Sequence, residues 1–197
     1  MTIYLIRHGE TQWNRTHRLQ GIVDVPLNCA GLRQARRLSA RLPRLPIRSI
    51  HTSPLLRARH TALEIRGTQP WPVVVEEDLR EIDHGSWTGM KIAEIAEQHF
   101  EEHSVWKWSP ERLRPRSGEP LETVYRRSTR VLCRLLASDT SQNVVIVGHG
   151  VVNALLLCSA LGIPIARVWD FPQPNGSIYV LRSKGKEISS VECLAHD

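Results

Sequence analysis

The sequence predicts an α/β fold built around a largely parallel β-sheet. Short runs of β-branched and other apolar residues alternate along the 197 residues with longer segments of helical period, which is the pattern of repeated β-α units. Two of the short runs also end in a histidine followed by glycine, as expected where parallel strands deliver functional groups to one edge of a sheet. The length is that of one compact domain, so we place a single domain over residues 1–197.

The elements of the N-terminal half follow this alternation. Strands are expected at residues 2–7, 48–52 and 73–76. Asn28 can cap a helix that runs to about Leu42, because apolar residues recur on one stripe of it and arginines occupy other positions. Ser53 is expected to cap a second helix, with Pro54 in the favoured first position.

The C-terminal half begins with an interruption of the pattern. Residues 80–120 are rich in glycine and proline and contain one short helix near residues 91–100. A long, partly irregular insertion in a compact domain is usually a lid or a binding loop, and we expect a lid over about 82–120. Two helices and three strands complete the predicted fold, at residues 121–136 and 151–161 for the helices and 144–147, 177–181 and 187–193 for the strands. The last two strands can pair through a turn at Lys184 and Gly185.

The charge of the chain suggests an anionic ligand. The formal net charge is +6, and residues 1–66 alone hold 12 arginines against three acidic residues. Arginine suits planar oxyanions such as phosphate better than lysine does. A nucleic-acid-binding module would need a contiguous basic stripe with a recognition motif or an aromatic platform. The arginines of the first helix supply only a partial stripe, so a small anion is favoured over nucleic acid.

The sequence indicates a soluble cytoplasmic protein. The four cysteines are scattered and form no C-x-x-C pair, which favours reduced thiols over a zinc site or a disulfide framework. The apolar run at residues 3–6 is too short for a signal peptide. No stretch approaches the roughly 20 apolar residues of a membrane helix. We expect no membrane partner and a monomer or a homodimer.

Two histidines follow strand ends that the fold brings to the same edge of the sheet. His8 is preceded by Arg7, and His149 follows the most apolar strand. Glycines beside these histidines, among them Gly150, would let the backbone approach a ligand closely. Imidazole can attack phosphorus and form a covalent intermediate, which splits one difficult displacement into two easier ones.

Phosphoryl transfer also requires positive charge and an acid. Arg7 and Arg57 are candidates for the charge that stabilises the transferred group, and Arg59 is expected to be a surface cation. Glu81 follows the third strand and is the candidate that protonates the leaving oxygen and later deprotonates water. Asp83 is its rival, but alternation directs it away from Glu81.

Six blocks of the sequence resemble the histidine phosphatase superfamily in its phosphoglycerate-mutase-like branch. They appear in family order and lie at residues 5–14, 19–27, 53–58, 79–89, 117–119 and 147–150. The tripeptide Arg-His-Gly alone would be a weak signal, but the six blocks at the right intervals are a strong one. The resemblance covers residues 3 to about 181 and implies a three-layer α/β/α sandwich, with helices on both faces of a mostly parallel central sheet.

The resemblance also implies roles for individual residues. His8 would be the phosphorylated nucleophile, with Arg7, Arg57 and His149 forming the phosphate pocket, and Glu81 would be the proton donor. Substrate-binding positions would be Asn14, Thr11, Gln20, Gly21 and Gly150. Family members of this kind work without a metal or other cofactor, and the partner would be a small phosphorylated metabolite.

The superfamily contains both phosphatases and cofactor-dependent mutases. The mutases are typically longer and carry Glu-Arg-His-Tyr-Gly around the proton donor, where the Arg and the Tyr hold a carboxylate. Residues 81–85 of this chain read EIDHG, which favours the small phosphatases. A mutase remains the alternative. A pseudoenzyme that only binds phosphorylated partners is disfavoured, because it would normally have lost one of the catalytic positions.

The roles of three further residues stay open at this stage. His84 can line the mouth of the pocket or pack beside it. Trp106 and Trp108 in the insertion can stack on a substrate or pack the insertion onto the core.

Overall fold

The structure is a computed structural model and describes residues 1–42, 46–114, 116–138 and 142–194. Residue 115 of the insertion and the last three residues of the expected domain lie outside the described residues.

A mostly parallel sheet forms the centre of the molecule. Its strands in the described residues are β1 (Thr2–Arg7), β2 (Ile47–Thr52), β3 (Val73–Val75), β4 (Asn143–Gly148), β5 (Ile178–Lys184) and β6 (Glu187–Leu194). Their order is β3-β2-β4-β1-β5-β6. The first four strands of that order run parallel, whereas β5 pairs antiparallel to β1 and β6 pairs antiparallel to β5. The predicted hairpin at the end of the chain is confirmed, with Lys184 paired to Glu187.

The helices occupy most of the predicted positions. In the described residues they are α1 (Gln12–Arg15), α2 (Cys29–Arg41), α3 (Leu56–Arg66), α4 (Ile92–Gln98), α5 (Phe100–Trp108), α6 (Leu121–Ala137) and α7 (Gly150–Leu161). The predictions for α2, α6 and α7 are confirmed. The insertion holds two helices instead of one, and α1 and a 3₁₀ helix at Ile165–Asp170 were not predicted. No helix in the described part of the chain is both long and apolar enough to cross a membrane.

Helices cover both faces of the sheet, so the three-layer architecture is confirmed. Alternate residues of β1 point to opposite faces. Leu5 packs with α6 and α7 in one apolar cluster, and Ile6 packs with α2 and α3 in another. These two clusters fix the helices against the two faces of the sheet.

The start of α3 differs from the prediction. Ser53 does not cap this helix, which begins at Leu56 after an extended Leu55. The amide of Leu56 donates instead to the Asp24 carboxylate at 2.8 Å. The Ser53 hydroxyl is engaged elsewhere, because its Oγ lies 2.7 Å from Nε2 of His149. A tertiary contact therefore replaces the local cap that the sequence suggested.

Gly9 allows a close approach of backbone to backbone, not of backbone to ligand. A Cβ at Gly9 would meet the carbonyl carbon of Gly31 at 3.0 Å. A Cβ at Gly31 would in turn fall on the backbone of Glu10. The loop after β1 thus rests directly on the first turn of α2, which fixes the position of His8.

Candidate active site

Three parallel strands end side by side and place three polar residues at one edge of the sheet. Arg7 of β1 pairs with Gly148 of β4, and the His8 amide donates to the Gly148 carbonyl at 3.1 Å. On the other side of β4, the Ser53 amide donates to the Val147 carbonyl at 3.1 Å. The residues that follow these strands, His8, His149 and Ser53, therefore meet at the carboxyl edge of the sheet, as the sequence predicted for the two histidines.

His8 presents one ring nitrogen to the cavity. Its side chain is buried, and Nδ1 lies 2.7 Å from the Gly9 carbonyl oxygen. Because a carbonyl oxygen only accepts, Nδ1 carries the proton, and Nε2 keeps its lone pair. Burial lowers the pKa of His8 well below its ordinary value, and the cations of Arg57 and Arg7 lower it further. A neutral imidazole with a free Nε2 is the form that can act as a nucleophile.

His149 lies behind His8 and not on the cavity wall. The two ring centroids are 5.1 Å apart. Burial lowers the pKa of His149 well below its ordinary value, followed by the charge of Arg57, so this ring is neutral as well. Nε2 pairs with the Ser53 hydroxyl, whereas Nδ1 is buried without a partner among the described residues.

Arg57 is a fully buried cation that ties a loop to the site. Nη1 donates to the Val23 carbonyl and Nη2 to the Gly21 carbonyl, each at 2.7 Å. Burial lowers the pKa of Arg57 to about 10, which leaves the guanidinium charged at neutral pH. Arg59, two residues on, is exposed as expected.

Four buried nitrogens around the cavity lack a partner in the described residues. They are Nε of Arg7, Nε of Arg57, Nδ1 of His149 and Nε2 of Gln173. Buried polar groups in native proteins are rarely left unpaired, and each exception needs an explanation. Two of the four belong to guanidinium groups, whose N–H donors suit a phosphate. A bound phosphoryl group would supply the missing acceptors.

The carboxylate of Glu81 lies at the first turn of α7 and lines the same cavity. Its Oε2 accepts from the Val151 amide and its Oε1 from the Val152 amide, both at 3.3 Å, and Oε1 also accepts from the Ile82 amide at 3.0 Å. The first turn of a helix stabilises a carboxylate placed there. Asp83 turns away and accepts from the Gly85 amide at 2.9 Å. Alternation in a strand would place residues 81 and 83 on the same face, so that argument against Asp83 was wrong; Asp83 turns away because residues 80–84 form no strand.

The cavity has a volume of about 540 Å³. Its wall includes four of the five predicted substrate-binding residues, Asn14, Gln20, Gly21 and Gly150. A Cβ at Gly150 would come within 3.8 Å of Glu81 Oε2 and 3.9 Å of Arg7. It would therefore occupy the space between the carboxylate and the guanidinium.

Thr11, the fifth of those residues, is fully buried and does not line the cavity. Its hydroxyl donates to Gln20 Oε1 at 2.9 Å, and its amide donates to Asn14 Oδ1 at 3.1 Å. Asn14 Oδ1 also accepts from Asn175 Nδ2 at 3.2 Å. With their oxygens engaged in these bonds, Asn14 and Gln20 can turn their amide NH₂ groups toward the cavity. Thr11 orders two cavity residues and does not itself reach the ligand.

Sequence reasoning missed Gln173 and Asn175, which also line the cavity. The Gln173 carbonyl accepts from Arg7 Nη1, and Asn175 Nδ2 donates to the His8 carbonyl at 3.1 Å. The only sequence signal was the Asn-Gly-Ser triplet at residues 175–177, which fits a glycosylation motif but here forms the turn before β5.

The far end of the cavity is aromatic. Trp106 of α5 packs edge-on against His84 at 5.7 Å and against Trp169 at 4.8 Å between ring centroids, and Phe171 completes this wall. His84 is buried, and burial lowers its pKa. Trp108 is 75% exposed and lies outside the cavity. Trp106 therefore both packs the insertion and lines the site, whereas Trp108 does neither.

Comparison with known proteins identifies the family. A model of the histidine phosphatase superfamily (branch 1) matches residues 3–194. The chain belongs to this superfamily. The histidine phosphatase match includes every strand of the sheet except the first residue of β1, together with the whole candidate site.

Several similar proteins carry phosphatase names. Phosphoserine phosphatase 1 of Hydrogenobacter thermophilus is 35% identical over 179 residues, which are 91% of this chain and 85% of the relative. The adenosylcobalamin/alpha-ribazole phosphatase of Escherichia coli is 30% identical over 89% of this chain and 87% of its own length. The alpha-ribazole phosphatase structure from Shigella flexneri has a TM-score of 0.88 and 29% identity, and the alignment covers 98% of this chain and 96% of that one.

This histidine phosphatase is thus an enzyme that hydrolyses a small phosphomonoester through a phosphohistidine intermediate. Mutase activity is less supported. A relative with a mutase name, from Klebsiella pneumoniae, is 33% identical but covers smaller shares of this chain and of itself, 83% and 76%.

Proposed function

We propose that His8 is the nucleophile of this hydrolysis and that Glu81 is its general acid and base. In the first step His8 Nε2 attacks phosphorus, the bond from phosphorus to the ester oxygen breaks, and protonated Glu81 gives its proton to the departing alcohol. In the second step Glu81 takes a proton from water, the water oxygen attacks phosphorus, and the phosphorus–nitrogen bond breaks. Inorganic phosphate leaves and His8 returns to its neutral form.

One observation carries this assignment. The free Nε2 of His8 shares a cavity with Glu81 and with three guanidinium or amide nitrogens that have no hydrogen-bond partner in the described part of the chain. The unpartnered donors of Arg7, Arg57 and Gln173 would bind the equatorial phosphoryl oxygens, which carry the charge of the transition state.

The assignment is tested by trapping the intermediate. Wild-type enzyme quenched in alkali during turnover of an aryl phosphate should carry an acid-labile phosphoryl group that mass spectrometry locates on His8. His8→Ala should abolish both the label and turnover, whereas His103→Ala on α5 should change neither. Full activity of His8→Ala would refute the nucleophile, and activity should persist in a chelator.

The wall beyond the phosphate pocket favours an alcohol that carries an aromatic ring. Trp106, Trp169 and Phe171 supply ring faces and edges for stacking. Among the substrates named for the relatives, alpha-ribazole phosphate fits this wall better than phosphoserine does. A panel of phosphate esters ranked by kcat/KM tests the choice, and a higher value for phosphoserine than for every aromatic ester would overturn it. Conversion of 3-phosphoglycerate to 2-phosphoglycerate in the presence of bisphosphoglycerate would instead reveal a mutase.

The remaining aspects of the proposal concern setting and assembly. We place the enzyme in the cytoplasm, as a monomer or a homodimer, acting on a small phosphorylated metabolite without nucleic acid, membrane or cofactor. Light scattering measures the assembly. Salt-dependent binding of nucleic acid would contradict the proposed partner.

A further inference from the structure

A second buried arginine lies beside the site without reaching the cavity. Arg127 is in the middle of α6, and its side chain is almost completely withdrawn from solvent. Its Nε and Nη2 donate to the two carboxylate oxygens of Glu119, each at 2.9 Å. This is the bidentate geometry that makes an arginine–carboxylate pair both strong and directional.

The other donors of Arg127 bind the backbone that carries Glu81. Nη1 donates to the Asp78 carbonyl at 2.9 Å and to the Arg80 carbonyl, and Nη2 donates to the Glu81 carbonyl at 3.2 Å. A guanidinium has five N–H donors, and here the five recorded bonds use all of them. Lysine has three donors on a single nitrogen and cannot reproduce this pattern.

Glu119 also binds the backbone on the C-terminal side of Glu81. Its amide donates to the Asp83 carbonyl at 2.8 Å. Residues 80–84 belong to no strand and to no helix, so no regular element fixes their carbonyls. The Arg127–Glu119 pair, which we name the backbone clamp, holds this irregular segment on both sides of the Glu81 side chain.

We infer that the backbone clamp positions Glu81 for proton transfer, so that Arg127 and Glu119 are positioning residues for the reaction. The inference rests on the proposed role of Glu81. The carboxylate contacts α7 through two amides at 3.3 Å, which are long hydrogen bonds. Its shorter bond, from the Ile82 amide at 3.0 Å, comes from the irregular segment that the clamp holds. A misplacement of about 1 Å in such a group can cost roughly 100-fold in rate.

Leaving-group dependence separates this role from a merely structural one. The parameter kcat/KM covers the steps up to release of the alcohol. p-Nitrophenolate leaves without a proton, whereas an alkoxide such as that of 2-phenylethyl phosphate requires one. In Arg127→Lys and Glu119→Gln we expect kcat/KM to fall by about 10- to 100-fold for the alkyl ester and by less than about threefold for the nitrophenyl ester. Arg126→Lys is the matched control, because Arg126 is exposed and, among the described residues, its side chain pairs with Glu122 on the same helix.

Two further measurements make the outcomes decisive. Glu81→Gln, assayed on the same two esters, shows whether Glu81 supplies the proton at all. If Glu81→Gln lacks leaving-group dependence, the proposed function fails at that residue. If Glu81→Gln shows it but folded Arg127→Lys and Glu119→Gln lose equal factors on both esters, or lose nothing, the clamp inference alone is overturned. Circular dichroism and thermal unfolding verify the fold, and Glu119→Gln decides the matter should Arg127→Lys fail to fold.

Discussion

Replacing Arg57 by lysine tests whether this residue contributes directed donors or only a positive charge. The wild-type side chain is 1% exposed and binds the carbonyls of Gly21 and Val23 at 2.7 Å. Those two bonds leave three of its five N–H donors for a phosphate. A lysine ammonium keeps the charge but cannot bind both carbonyls and still present the same donors to the ligand.

The expected magnitude follows from these contacts. Hydrogen bonds from a charged donor are worth about 1.5–3 kcal/mol each, and the lysine can recover one of the two. The free energy of unfolding should therefore fall by about 2 kcal/mol, which lowers Tm by about 4–8 °C for a chain of this length. Loss of one preorganised donor at a developing negative charge costs about 100- to 1000-fold in rate, so kcat/KM should fall by that factor.

The assay compares Arg57→Lys with Arg59→Lys on the same helix. Both variants are measured for kcat/KM on an aryl phosphate, for inhibition by inorganic phosphate and for thermal unfolding. Arg59 is exposed, and its variant should match the wild type in all three. An Arg57→Lys enzyme within threefold of wild type in kcat/KM would refute the claim that the guanidinium geometry matters.

Three other predictions concern pH and packing. The free energy of unfolding should fall as pH drops below about 6.5. The reason is that the pKa values of His8, His84 and His149 are lowered in the folded protein, so these side chains take up protons more readily when unfolded. Urea titrations at pH 7.5 and 5.5 measure this difference, and equal stabilities at the two pH values would contradict it. Inhibition by phosphate should weaken as pH rises through about 10, where Arg57 loses its charge; an inhibition constant that is unchanged between pH 8 and 10.5 would argue against that site. Gly31→Ala should destabilise the protein by about 1–3 kcal/mol, because its Cβ would overlap the neighbouring loop; an unchanged Tm would show that the loop yields freely.

Local signals in the sequence were enough to predict which residues meet at the centre of the candidate site. His8 and His149 directly follow apolar runs, and parallel strands bring such positions to one edge. Glu81 was found because it opens the irregular segment after the third strand. In each case the candidate residue directly adjoins the sequence element that indicates its position, so the local pattern was enough to find it.

Contacts between distant segments could not be read in this way. Ser53 reads as a helix cap, but its hydroxyl pairs with His149, 96 residues away. Gln173 and Asn175 precede their strand, and a residue before a strand reaches the carboxyl edge only if that strand runs antiparallel, as β5 does. The direction of this one strand thus decided which residues join the site. Arg127 likewise reads as one position on a helix, and only the fold shows that it binds the backbone beside Glu81.

The pairing of β5 with β1 links the order of synthesis to the onset of activity. The proposed nucleophile is synthesised well before the segment that fixes its backbone, since Asn175 donates to the His8 carbonyl at 3.1 Å and the Arg7 amide donates to the Ser177 carbonyl at 3.1 Å. Loops closed over such long separations form late in folding. A nascent chain still holding residues 173–184 inside the ribosome has the proposed catalytic side chains outside but lacks the contacts of β5 with β1, so we expect no turnover before these residues emerge.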